Sequence, residues 1–98
     1  MRIETPPATR YVLTYRAVSD FLPLVAEHGA GHSARLAEFR ERGLVALAGP
    51  LLEPFDGTAM AVFTTREAVD EFVRGDPFVL GGLVAGRTVR PWSERLGQ

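Results

Sequence analysis

Only two side chains of this 98-residue sequence belong to a type that titrates near neutral pH, His28 and His32. They stand four positions apart in "EHGAGHSARLAEF", residues 27–39. Val25, His28, His32, Leu36 and Phe39 recur at a spacing of about 3.6, the stripe of a helix that turns one side to a core. Imidazoles on such a stripe can move protons on a ligand or, four apart, hold a metal ion. The segment reads His-Gly-Ala-Gly-His and not HExxH, and a metal would need a third ligand, so no metal is expected. A helical histidine among apolar neighbours equally serves as a half-buried residue with one hydrogen bond. On the residues alone both readings stand.

Much other chemistry is excluded by composition. There is no cysteine, and all 11 basic residues are arginine. Thiolate nucleophiles, disulfides, lysine Schiff bases and a P-loop lysine are therefore absent. Ser33 adjoins His32 but is expected to project from another side of the helix. Tyr11 and Tyr15 read as sheet packing. Arg16, Arg87 and Arg90 read as solvated or salt-bridged strand residues. Gly81-Gly82 lacks the spacing of a phosphate loop. With a net charge of −1 and no basic block, nucleic acid is not an expected partner. No apolar run reaches the roughly 18 residues of a membrane span. The start "MRIETPPATR" lacks the apolar centre of a secretory signal, so a cytoplasmic protein is expected.

The elements that must position the histidines follow from periodicity. Residues 1–9, with Pro6 and Pro7, read as a loose leader, and residues 10–98 as one domain. "RYVLTYRAV" (10–18) alternates as a strand. Ser19 or Asp20 is the expected cap of a helix from Phe21 to Arg42, and Gly43 its stop. Gly29 and Gly31 predict a bend or two helical pieces, the longer from about Gly31. "LVALAGPLL" (44–52) reads as a buried strand, with Gly49-Pro50 a bulge or an edge. "EPFDG" is the turn, and Asp56-Gly57 a hairpin signal into a strand over 58–64. Thr65 caps a second helix with Val69, Phe72 and Val73 inward. Asp76 caps one more turn with Pro77 at its first position, and residues 86–92 close the fold as a strand. The order β-α-β-β-α-β is the ferredoxin-like pattern: α+β, a four-stranded antiparallel sheet with both helices on one face. The second and third strands show no polar alternation, which predicts cover on both faces and a homodimer through the open sheet face.

Three pieces in this order, "HSARLAEFRERG", "LAGPL" and "DPFVLGGLV", resemble the YCII family over roughly residues 10–92, small proteins with a dimeric ferredoxin-like α/β barrel. The resemblance implies a catalytic pair of His32 on the helix and Asp76 of the D-P-[FY] segment. Beside this pair, the expected substrate-binding positions are His28, shaping the pocket with a surface or core residue as the alternative, Gly49 and Pro50, shaping its wall by backbone geometry, and Phe78. Gly29-Ala30-Gly31 departs from the polar residue that many members carry before the histidine. Dehydrochlorinase and muconolactone-isomerase-like enzymes of the same fold imply small cyclic or aromatic substrates. In such a pair the carboxylate fixes the imidazole tautomer and the other ring nitrogen meets the substrate. The expectation is therefore a cofactor-independent lyase or isomerase acting on a small cyclic or carbonyl-bearing molecule. The alternative is a non-enzymatic homodimer that binds a small ligand or serves as an accessory subunit.

Overall fold

Alternation along the first strand sends Tyr11, Leu13 and Tyr15 to one face of a sheet and Val12 and Thr14 to the other. In the computed structural model of the chain, which describes residues 7–96, this strand is β1, Ala8–Ala17. It begins two residues before Arg10, and residues 1–6 of the expected leader lie outside the described residues. The remaining elements are α1 (Leu22–Glu41), β2 (Val45–Pro50), β3 (Ala59–Phe63), α2 (Arg66–Gly75), α3 (Pro77–Leu80) and β4 (Val84–Glu94). The sheet is antiparallel throughout, in the order β2-β3-β1-β4. This is the ferredoxin-like arrangement, with the α+β class as expected.

Helix α1 is one helix of 20 residues, not two pieces. Its N-cap is Phe21 without a side-chain hydrogen bond, so neither Ser19 nor Asp20 caps it. Pro23 in the first turn explains why no cap is required there, since proline removes one of the donors that a helix start leaves open. Gly43, at φ +75°, ends the helix and donates to the Arg40 carbonyl. Thr65 caps α2 through Ala68 N–H at 3.0 Å.

One layer of packing joins helices and sheet. Leu13, Tyr15, Ala61 and Phe63 meet Phe39 of α1 and Val69, Phe72 and Val73 of α2 in a single buried cluster. The hairpin between β2 and β3 is wider than Asp56-Gly57 suggested. Both strands stop short, and Leu51 N–H donates to the Thr58 carbonyl across the base of the loop. Asp56 accepts from Thr58 N–H, an Asx turn that closes only the far end. Phe55 in this loop folds back edge-on to Phe21, ring centroids 5.5 Å apart. On the open sheet face Val62 is buried, whereas Leu47 (68%), Met60 (39%) and Trp92 (47%) are exposed.

Candidate functional site

The two glycines around Ala30 fit a demand for space rather than a break. A Cβ on Gly31 would lie 3.1 Å from the Pro77 ring, so glycine lets α3 approach α1 closely. That approach brings Asp76, the N-cap of α3, beneath the helix. His32 Nδ1 lies 2.7 Å from Asp76 Oδ1. Tyr15 donates its hydroxyl to Asp76 Oδ2 at 2.7 Å, and Phe78 N–H donates to Oδ1 at 3.2 Å. Asp76 is 0% exposed and is the only buried charged residue type among the described residues. Three donors converging on one side chain suit a carboxylate, which only accepts. The cap and the imidazole contact coexist on the same oxygen.

Burial, then the hydrogen bond to Asp76 and its charge, pushes the Tyr15 hydroxyl well above the ordinary phenol range, against weaker pulls from Arg87 and Arg35. Tyr15 thus stays protonated and remains a donor. The His32 ring lies nearly parallel on Phe78, centroids 4.0 Å apart, and meets Phe72 edge-on at 5.9 Å. Its Nδ1 engaged, His32 keeps Nε2 without a hydrogen-bond partner among the described residues.

Beside this network lies an apolar cavity of about 450 Å³ between α1 and the sheet. His32, Phe78, Gly49 and Pro50 all border it. His28 does not. Its ring packs over Gly81, where a Cβ would overlap it, and its Nε2 sits 3.6 Å from the Glu27 carboxylate. One helical turn from His32, it leans toward the end of α3 instead of the cavity. Ser33, expected to project elsewhere, borders the cavity. It follows Gly29 by one turn, and the missing side chain of Gly29 widens the cavity to that side of the helix. No group of three or more histidine or acidic side chains is placed to hold a metal ion among the described residues.

A model of the YCII-related domain matches residues 9–93, nearly the whole sequence. The chain belongs to the YCII family. Solved structures share the fold of this YCII chain. One is 5-chloro-2-hydroxyhydroquinone dehydrochlorinase (TftG) from Burkholderia phenoliruptrix, in complex with 2,5-dihydroxybenzoquinone. It aligns at TM-score 0.73 and 21% identity, over 85% of this chain and 92% of that one. A protein from Shewanella oneidensis aligns at TM-score 0.59 and 12% identity, covering 97% and 98%. A conserved protein from Methanosarcina mazei aligns at 0.56 and 15%, covering 91% and 94%. At these identities the likeness is one of fold. No curated protein matches the chain.

Two further residues support the candidate site. Tyr15 packs in the core as expected, and its inward-facing phenol also needs a partner for its hydroxyl, which is the available signal. Arg35, one turn after His32, donates to the carbonyls of Glu71 (2.7 Å) and Phe72 (3.0 Å) and lies over the Phe39 ring at 5.0 Å. It satisfies the last turn of α2 and thereby steadies the backbone that delivers Asp76.

Proposed function

We propose that this YCII chain is a small cofactor-independent enzyme, a lyase or isomerase, in which His32 transfers a proton and Asp76 orients it. The observation that carries the reading is the 2.7 Å contact between His32 Nδ1 and a fully buried carboxylate at the wall of an apolar cavity. The carboxylate holds the proton on Nδ1, so Nε2 is the lone-pair nitrogen offered to a ligand. Nε2 takes a proton from a carbon next to a carbonyl, or from a ring hydroxyl. The electron pair released forms a carbon–carbon or carbon–oxygen double bond. Return of the proton to a different carbon completes an isomerisation. Departure of a leaving group with the electron pair of its own bond to carbon completes an elimination, and the imidazolium then gives up its proton. Asp76 stabilises that imidazolium, and Tyr15 and Phe78 N–H hold Asp76. The dehydrochlorinase TftG, which shares the fold, is named for an elimination and was solved with a cyclic ligand; both agree with a small cyclic or carbonyl-bearing substrate.

The open sheet face supports a homodimer. Leu47, Met60 and Trp92 expose apolar surface around buried Val62, a patch that a second copy would cover sheet to sheet. Light scattering that finds a monomer at micromolar concentration would remove this part. No helix among the described residues is long and apolar enough to cross a membrane, in keeping with work in the cytoplasm, which fractionation of the producing cells would check.

The test of the enzymatic reading is deuterium exchange from solvent, or halide release, across a panel of cyclic ketones, lactones and halogenated hydroxyquinols. The wild-type protein is expected to turn over at least one class, and His32→Ala to lose about 100- to 10,000-fold of that rate. Ligand binding without exchange or release in any class would leave a small-ligand-binding dimer in place of the enzyme.

A further inference from the structure

The cavity's size and wall chemistry narrow the ligand beyond a small cyclic compound. Its volume of about 450 Å³ is some three times the ~150 Å³ apolar cavity that accepts one benzene. A single hydroxylated ring would leave most of it unfilled. Among the described residues no arginine, aspartate or glutamate borders it, and the sequence has no lysine. The polar side chains on its wall are Tyr15, His32 and Ser33. The Tyr15 hydroxyl and His32 Nδ1 are both turned to Asp76. One imidazole nitrogen and one serine hydroxyl remain for a ligand. Arg35, on the same helix, is engaged by two backbone carbonyls. A dianion placed against this apolar wall would gain no cation from the described residues. The rest of the wall is aliphatic and aromatic, including the Phe21–Phe55 pair and Phe78.

We infer that the ligand is a largely apolar compound of two fused rings, or one ring with a short alkyl arm, neutral or singly ionised, presenting one hydroxyl or enolisable carbonyl to His32. It carries no phosphate, sulfate or second carboxylate. The inference rests on the reading of this cavity as the reaction chamber. It adds a size that a lone hydroxyquinol ring does not fill and a charge that a phosphorylated metabolite exceeds.

Three probes separate the terms: 2-naphthol, phenol, and 2-naphthyl phosphate. Each is titrated into the full chain, with amide and imidazole NMR signals as readout. 2-Naphthol is expected to shift His32 and Phe78 and to bind at least roughly tenfold more tightly than either comparison probe. Ala61→Leu and Ala59→Leu, which place bulk on the cavity floor, are expected to weaken 2-naphthol roughly tenfold while keeping the native circular dichroism spectrum; either variant suffices if the other does not fold. Equal or tighter binding of the phosphate or of phenol overturns the inference. So does the absence of binding by all three, or unchanged 2-naphthol affinity in a folded filled variant. The expected preference without turnover on the panel above supports this ligand class and refutes proton transfer alone. Turnover with the opposite preference refutes the ligand class alone.

Discussion

Along one face of β3 the side chains run Ala59, Ala61, Phe63, and along the facing side of α1 they run Gly29, Ser33, Leu36, Phe39. At the Phe end the layer between helix and sheet is solid: Phe39, Phe63 and Phe72 are 0%, 0% and 1% exposed. At the Ala and Gly end the same layer is hollow and bordered by the cavity. Both ends lie between the same sheet and helix, and the small side chains of Ala59, Ala61 and Gly29 leave the space that the Phe residues fill at the other end. The His32–Asp76–Tyr15 network stands where the two halves meet, with Phe72 reaching both the cavity and the Phe39 and Phe63 rings. A site built this way takes rigidity from the packed half and space from the empty one.

The widest separation of the halves comes from emptying the solid one. Phe72→Ala is expected to cost about 3–5 kcal/mol in denaturant unfolding, whereas Ala61→Leu in the hollow half should stay within about 1 kcal/mol, short of the usual overpacking penalty. Similar losses in both would mean that the hollow half is packed in solution. Next comes the boundary. Asp76→Ala strands one buried donor, Tyr15, and two half-buried ones, and should cost about 3 kcal/mol, with Asp76→Asn costing less because it keeps an acceptor. A neutral effect of Asp76→Ala would show that those hydrogen bonds are not made.

The elements that frame this contrast are legible in the sequence. Strand alternation, the Thr65 cap, Gly43 as the helix stop and Asp76-Pro77 as a helix start are local signals, and the chain uses each where it falls. The errors came where distant contacts decide. Gly31 looked like a helix breaker because its partner, Pro77, lies 46 positions on. Ser33 borders the cavity although its position on the helix predicts another side, because a stripe of fixed width takes no account of a missing side chain at Gly29. Tyr15 packs in the core as its strand alternation predicts, but the acceptor of its hydroxyl lies 61 positions away and leaves no local signal. The width of the 51–58 loop was hidden by the strong Asp56-Gly57 signal.

Smaller effects sharpen the boundary further. Tyr15→Phe should cost about 1.5 kcal/mol at neutral pH, the low end for a bond to a charged acceptor. The folded chain holds the Tyr15 proton far more tightly than the unfolded chain, whose phenol releases it near pH ~10. This contribution to stability is thus complete below pH ~10 and declines as pH rises past it. In a Tyr11→Phe background, tyrosinate absorbance from Tyr15 should appear only with unfolding; its appearance in the native protein would mean that the hydroxyl is not buried against Asp76. The smallest effect is expected at Gly29. A Cβ there meets only Val25, at 3.9 Å, so Gly29→Ala should stabilise α1 by up to about 1 kcal/mol while narrowing the cavity. Destabilisation would indicate that the hollow beside Gly29 is filled.

The most direct measurement is the nitrogen-15 spectrum of the His32 ring, in the native chain and in Asp76→Asn, with 2-naphthol added in turn. The proton is expected on Nδ1, a bare Nε2 should respond to the ligand, and the Asp76→Asn change should disturb this tautomer. A proton fixed on Nε2, with a spectrum indifferent to both the substitution and the ligand, would contradict a ring held by Asp76 and presented to the cavity.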